Sequence, residues 1–450
     1  MLEPDAALDR LDRMIALARR AGATAADALY LGSATQSVGV RKGSLEEASR
    51  SESEDVGLRL FDGARSAAIA TSDLSPAGIA AAVDRALAMA RAAPEDRFAG
   101  LADPALLAAP PFPDADSFDS AAAGAAPERL REMALASEGA ALAIAGITNS
   151  EGGSASAGHA VMALATSTGF RGAQRGSFVS VSAVVVAGEG EGMQRDYDWA
   201  EARHLADLES AEAIGRRAGE RAVGRLDPVR LPTGRYPVLF DQRVAGSLLG
   251  HLVGAMSGPS IARGTSFLKD KAGERLFGEQ IRIVDDPLRP RGLRSRPFDA
   301  EGLPARRTLI VEEGRIGRWL LDSASARQLG LAPTGHASRG IAGPPGVATT
   351  NLHLEAGPLS PEELMADIEL GFLVTELIGM GVNGLTGDYS RGASGFAIRN
   401  GQIAEPVTEV TIAGNLIDMF ASLRPANDLV FRHATSSPTV RIDGMTVAGA

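Results

Sequence analysis

The sequence contains no cysteine at all. That absence removes disulfides, thiolate nucleophiles and any zinc or iron–sulfur centre that needs a cysteine ligand. An excess of positive charge is also missing, since the formal net charge is −11. Non-specific nucleic-acid binders need a basic surface to displace phosphate counterions, so direct nucleic-acid contact is not expected. The Arg-rich run "RPRGLRSR" (Arg289–Arg296) reads as a solvated loop. No stretch comes near the ~18 consecutive apolar residues of a membrane-spanning helix, so no membrane contact is expected. The opening "MLEPDAALDRLDRM" has no basic region followed by an apolar one, unlike a signal peptide, and a cytoplasmic location is expected.

What is present is an ordinary globular composition, 45% hydrophobic and 22% charged. A chain of 450 residues exceeds one compact core and suggests two domains or three. Leu8, Leu11, Ile15 and Ala18 share one face of a helix expected from Asp5 to Ala21. Short strands broken at Gly and charged turns follow up to about Ser72. Ser75 as N-cap with Pro76 behind it opens a second helix to about Arg91. Residues 94–127 lack periodicity and read as a long loop that could wrap a neighbour. A helix from Pro127 to Glu138, a strand "SFVSVSAVVV" (Ser177–Val186) and a charged helix from Trp199 to Arg225 come next. The Pro- and Gly-containing "LDPVRLPTG" then divides an N-terminal domain, 1–226, from a C-terminal one, 227–450.

The second half is strand-rich. Hairpins are expected at Glu313-Gly314 and at Asn400-Gly401. Ser360 and Glu363 form a capping box around Pro361, opening a helix to Ile378 with Leu364, Ile368, Leu373 and Leu377 along its apolar side. The fold class is α+β: an N-terminal domain of short antiparallel strands and helices, and a C-terminal strand-rich domain with a mixed sheet.

Several patterns bear on chemistry. "GMGVNG" (Gly379–Gly384) fits G-x-G-x-x-G, but a dinucleotide site needs that pattern to follow a strand and open a helix. Here it is expected to end the capped helix, and the "LTGDYSRGASGF" behind it is too glycine-rich to be helical. Ser390 and Ser394 are not in a G-x-S-x-G elbow. Asp388, Tyr389, Ser390 and Arg391 read as residues that hold a turn or line a peptide groove. The six histidines are His159, His204, His251, His336, His353 and His433. A zinc-protease helix needs two histidines about four or five residues apart with a glutamate beside the first. No two histidines here are that close.

One long segment carries a resemblance. "GPLSPEELMADIELGFLVTELIGMGVNGLTGDYSRGASGFAIRNGQIAEPVTEVTIAGNLIDMF" (Gly357–Phe420) resembles the signature region of the TldD/PmbA proteins, once called modulators of DNA gyrase. "FDGARSAAIATSD", "GLADP" and "GTSFLKDKAGERLFGEQIRIVDDP" are similar to further parts of that family, so the likeness spans the chain. The resemblance implies a heterodimeric zinc metalloprotease that trims unfolded or extended peptides. Its TldD branch carries zinc on a helix with the motif H-E-x-x-x-H and a further cysteine ligand. Laid on "SLLGHLVGAM", that motif puts Gly250 at the first histidine, His251 at the glutamate and Ala255 at the second histidine.

This chain is therefore identified with the PmbA branch, also called TldE. The resemblance implies no catalytic residue and no metal or other cofactor in this chain, and zinc in a TldD-like partner. It implies extended peptides as substrates, and leaves a homodimer open where the partner is absent. Two alternatives stay open: a metallopeptidase whose site is assembled from scattered residues such as His251, His336 and Asp388, and a regulatory peptide-binding homodimer without proteolysis.

Overall fold

The computed structural model describes residues 1–449. The fold is α+β. In the first half, helix α1 (Pro4–Arg20) is followed by strands β1 (Ala25–Arg41), β2 (Ser44–Asp62) and β3 (Arg65–Thr71) and helix α2 (Pro76–Ala92). Helix α3 (Pro127–Leu142), strands β4 (Ile147–Thr166), β5 (Arg171–Ala187) and β6 (Gln194–Ala202) and helix α4 (Ala211–Gly224) complete it. The six strands form one antiparallel sheet in the order β3-β2-β1-β4-β5-β6. All four helices cover one face of it, burying Tyr30, Leu58 and Leu60 under α1 and α2, and Val38, Val179 and Val181 under α3 and α4. The strands expected to be short are long; β1 runs 17 residues and β2 runs 19. Small residues and serines allow this, because the face without helices carries cross-strand hydroxyl pairs such as Ser37–Ser49 at 2.7 Å and Ser156–Ser180 at 2.7 Å.

The charged helix expected from Trp199 to Arg225 is two elements. "QRDYDWAEA" alternates buried Asp196, Asp198, Ala200 and Ala202 with more exposed neighbours and forms β6, and the helix begins only after Ser210, whose hydroxyl accepts from the Ala213 N–H at 3.2 Å. The segment 94–127 lies against its own chain. Phe112 packs on Phe298 and Phe170 with centroids 5.0 and 6.0 Å away, and the Ala108 N–H donates to the Gly302 carbonyl at 2.8 Å. It straps the two halves together.

In the second half, β7 (Gly234–Phe240) leads into helix α5 (Gln242–Ala255). Strands β8 (Leu370–Ile378), β9 (Asp388–Arg399), β10 (Gln402–Asn415) and β11 (Val440–Ala448) join β7 in the order β10-β9-β8-β7-β11, and β10 pairs back onto β11 to close a barrel. Only β7 and β8 run parallel within that ring. The expected hairpins at Glu313-Gly314 and Asn400-Gly401 both form; Asn400 and Gly401 have φ of 50° and 77°, the left-handed pair a two-residue hairpin turn requires. A smaller sheet, built around Ile283–Asp285 and Thr308–Glu312, lies beside the barrel, and α5 packs between the two.

The helix expected from Pro361 to Ile378 stops at Met365. The capping box is there, with the Ser360 N–H donating to Glu363 at 2.7 Å, but Leu370–Ile378 is the barrel strand β8. Phe372 and Val374 face the barrel core while Leu373 faces the short helix outside, so both faces are apolar. Such a run shows no alternation and mimics a buried helix.

Candidate functional site

Helix α5 follows β7 directly. Asp241 caps it, accepting from the Arg243 N–H at 2.9 Å, and burial raises the pKa of that carboxyl against the pull of Arg221 and Arg243. Ala245, Leu248, Leu249 and Leu252 form its buried face. Ser247, Gly250, His251 and Gly254 lie on the opposite face and line cavities. At Gly250 and Gly254 an added Cβ would meet no heavy atom within 4 Å. A cavity of about 300 Å³ adjoins Gly250, His251, Gly254, Phe267 and Met380. A second, of about 290 Å³, opens between Arg243 and Ser247 of α5, Thr375–Leu377 of β8, and Arg391 of β9.

His251 sits edge-on to Tyr389, with ring centroids 5.9 Å apart at 77°. Burial lowers the His251 pKa, and the Arg391 charge lowers it further, so the imidazole is neutral near pH 7. Burial pushes the Tyr389 phenol up to about 12, opposed by Arg391. The Nε2 of His251, the Oη of Tyr389 and the Nε of Arg391 are buried without a hydrogen-bond partner.

The four residues expected together at the start of β9 separate by strand alternation. Tyr389 is buried and Arg391 half-buried on the side of α5, whereas Asp388 and Ser390 face out. Asp388 holds a turn. It accepts from Thr386 Oγ1 at 2.6 Å and from Asn415 Nδ2 at 3.2 Å, contacts that lower its pKa. Ser394 is buried against Thr408, hydroxyl to hydroxyl at 3.3 Å, and among the described residues no hydrogen bond links Ser390 or Ser394 to a histidine. Gly379–Gly384 follows strand β8 instead of a helix, and what it opens is β9, so the setting of a dinucleotide loop is not there.

His251, His336 and Asp388 are not brought together. His336 is buried elsewhere, with Nδ1 2.9 Å from Thr334 Oγ1 and Nε2 3.4 Å from an Asp285 carboxylate oxygen. Among the described residues no three of His, Cys, Asp or Glu are grouped to hold a metal ion. A zinc ion does not fit the outer face of α5 either. Gly250 and Ala255 offer no donor atom, and the charge acting on His251 is a guanidinium, which repels a cation.

Two features were missed from sequence. The first is the outer edge of β8: β7 pairs with it only at Phe372, Leu373 and Val374, leaving Thr375–Ile378 unpaired by β7 beside the cavity. The second is an ionic seam between the halves. Asp196 of β6 pairs with Arg243 at 2.8 Å and Arg225 at 3.2 Å, and Arg225 also pairs with Glu376. The two-residue period of "DYDWAEA" was the available signal for the second.

No helix among the described residues is long and apolar enough to cross a membrane. The description PmbA/TldA metallopeptidase fits this chain in three pieces: domain 1 over residues 26–90, the central domain over 122–226 and the C-terminal domain over 233–449. An Escherichia coli O157:H7 protein named Metalloprotease PmbA is 39% identical over 92% of this chain and 90% of its own length. A Haemophilus influenzae protein named as its homologue is 36% identical over 97% of this chain and 94% of its own. Among solved structures, TldE from Thermococcus kodakarensis superposes with a TM-score of 0.86 at 22% identity, covering 98% of this chain and 100% of that one, a likeness of fold. A Bacteroides thetaiotaomicron protein whose name links it to modulation of DNA gyrase superposes with a TM-score of 0.90 at 27% identity over 98% of both chains.

Proposed function

Because the chain belongs to the PmbA/TldD metallopeptidase family, we propose that it is the metal-free subunit of a cytoplasmic, two-subunit peptidase whose zinc sits in a TldD-like partner. The observation that carries this is the face of α5. Where the catalytic branch has two zinc ligands and a glutamate, this helix presents Gly250, His251 and Ala255. Neither glycine nor alanine can ligate a metal, and one imidazole cannot hold a catalytic zinc that normally takes three protein ligands.

The subunit's work is to hold extended peptide and to close the chamber in which the partner cuts it. The unpaired edge of β8 at Thr375–Ile378 supports this, since an extended peptide can add to a strand edge through backbone hydrogen bonds with little regard for sequence. Ile378 and Met380, 57% and 92% exposed, would give that peptide apolar contact.

Two measurements test the reading. Elemental mass spectrometry of the chain purified alone, without chelators, should find almost no zinc; about one tightly held zinc per chain would sink it. Peptidase rate should then be followed on an unfolded peptide, using the TldD-like partner with and without this chain. The rate should rise and the substrate range should change when the chain is added. An unchanged rate and range would reject the subunit role.

A further inference from the structure

Buried polar atoms in folded proteins nearly always find a partner, so three orphans in one cluster ask for an explanation. His251 Nε2, Tyr389 Oη and Arg391 Nε are all buried and unpartnered, and each can donate a hydrogen bond. The surrounding guanidinium groups are matched: Arg195 pairs with Glu151, Arg243 with Asp196, and Arg225 with Asp196 and Glu376. Among the described residues Arg391 has no ion pair, and its Nε has no hydrogen-bond partner, yet it lines the cavity beside the edge of β8 that β7 leaves unpaired. One uncompensated positive charge thus stands beside two neutral donors.

We propose that Arg391, with His251 and Tyr389 behind it, forms a receptor for a peptide carboxylate. The planar guanidinium fork matches a carboxylate in shape and charge. Charge also argues against a phosphate dianion. Asp196 and Glu376 line the same cavity, and burial of Asp196 is outweighed by Arg243 and Arg225, which hold its carboxyl ionised. Arg243 and Arg225 already offset those two carboxylates, so the charge left over is the single Arg391 guanidinium, which a monoanion balances and a dianion exceeds. The carboxylate is either a chain terminus or an acidic side chain of a peptide lying along Thr375–Ile378. This inference rests on the reading that the chain holds extended peptide, and gives that peptide a preferred chemical end.

The test uses the full chain and one fluorescently labelled, uncharged extended peptide in three forms: free C-terminal acid, C-terminal amide, and amide with one internal glutamate. Binding is read by fluorescence anisotropy. At least one carboxylate-bearing form should bind about tenfold tighter than the plain amide, and which one gains identifies the source. Arg391→Gln should erase the gap, and Arg391→Lys should keep part of it. Equal binding of all three forms, no binding of any, or a gap that persists in Arg391→Gln would overturn the proposal. The peptide comparison needs no substitution, so a misfolded variant cannot hide the answer. The subunit role is judged separately by the partner's peptidase rate, so either idea can fail while the other stands.

Discussion

Replacing Glu301 by glutamine should stabilise the protein at alkaline pH and leave it unchanged at acid pH. Glu301 is 4% exposed and sits where the two halves meet, its carboxylate accepting from the Ser323 N–H at 2.7 Å. Burial raises its pKa from the ordinary 4.5 to about 7; the Ser323 contact opposes that shift and nearby Asp299 adds to it. A carboxyl with a raised folded-state pKa binds its proton more tightly in the native protein than in the unfolded chain. Its contribution to stability is complete below pH 4.5 and lost as pH climbs through 7. At ~1.4 kcal/mol per unit, the shift corresponds to roughly 3 kcal/mol. Glutamine mimics the protonated acid and keeps a carbonyl for the Ser323 N–H. The stability gap between Glu301→Gln and the parent should therefore be near zero around pH 4.5, grow through pH 5–7 and level off above it. Urea denaturation across that range measures it. A gap that stays flat with pH would refute the argument, because it would mean that Glu301 titrates alike in both states. Asp27, Asp196 and Asp198 have lowered pKa values and act with the opposite sign, and only below the ordinary carboxylate range, so they do not mimic the effect.

Two further substitutions test how the halves are joined. Burial of Asp198 opposes its ionisation, but Arg221, Arg217 and Arg432 outweigh that, at 2.8, 2.7 and 3.3 Å from its carboxylate oxygens. Asp198→Ala takes a shared carboxylate from three guanidinium groups, of which Arg217 and Arg432 keep Glu209 and Arg221 does not, and should cost about 3 kcal/mol, read as a lower urea midpoint. Phe298 is fully buried and packs on both Phe112 and Phe170 with centroids 5.0 Å away. Phe298→Ala should cost about 3–5 kcal/mol and speed proteolytic nicking within residues 94–127, because it removes the ring on which that strap rests.

Local signals in the sequence marked where elements begin far better than how far they run. The Ser360–Glu363 capping box opens a real helix, but nothing in a cap specifies length, and the apolar run behind it belongs to a barrel strand covered on both faces. Asn400-Gly401 was legible because a two-residue turn places a strict demand on φ. The site was half legible. His251 on the outer face of α5 follows from helical spacing, and Tyr389 with Arg391 on one side of β9 follows from strand alternation. That these two faces meet depends on how the barrel closes and where α5 packs beside it, and no local pattern encodes that.

The meeting of those faces also explains what α5 is suited to hold. A zinc site gathers neutral imidazoles and anionic oxygen around a cation, and a guanidinium beside it would weaken every one of those bonds. Here Gly250 and Ala255 carry no donor, and Arg391 brings a positive charge against the His251 imidazole. The polarity of the place therefore favours an anion over a cation. A helix face with nothing to hold would be expected to fill its surroundings with apolar packing, since unpartnered buried polar atoms cost free energy. Instead Gly250 and Gly254 keep the outer face open and three donors stay unsatisfied behind it. A ligand that supplies an acceptor recovers that cost, and a peptide carboxylate lying along the edge of β8 would meet the Arg391 guanidinium, which lines the cavity there.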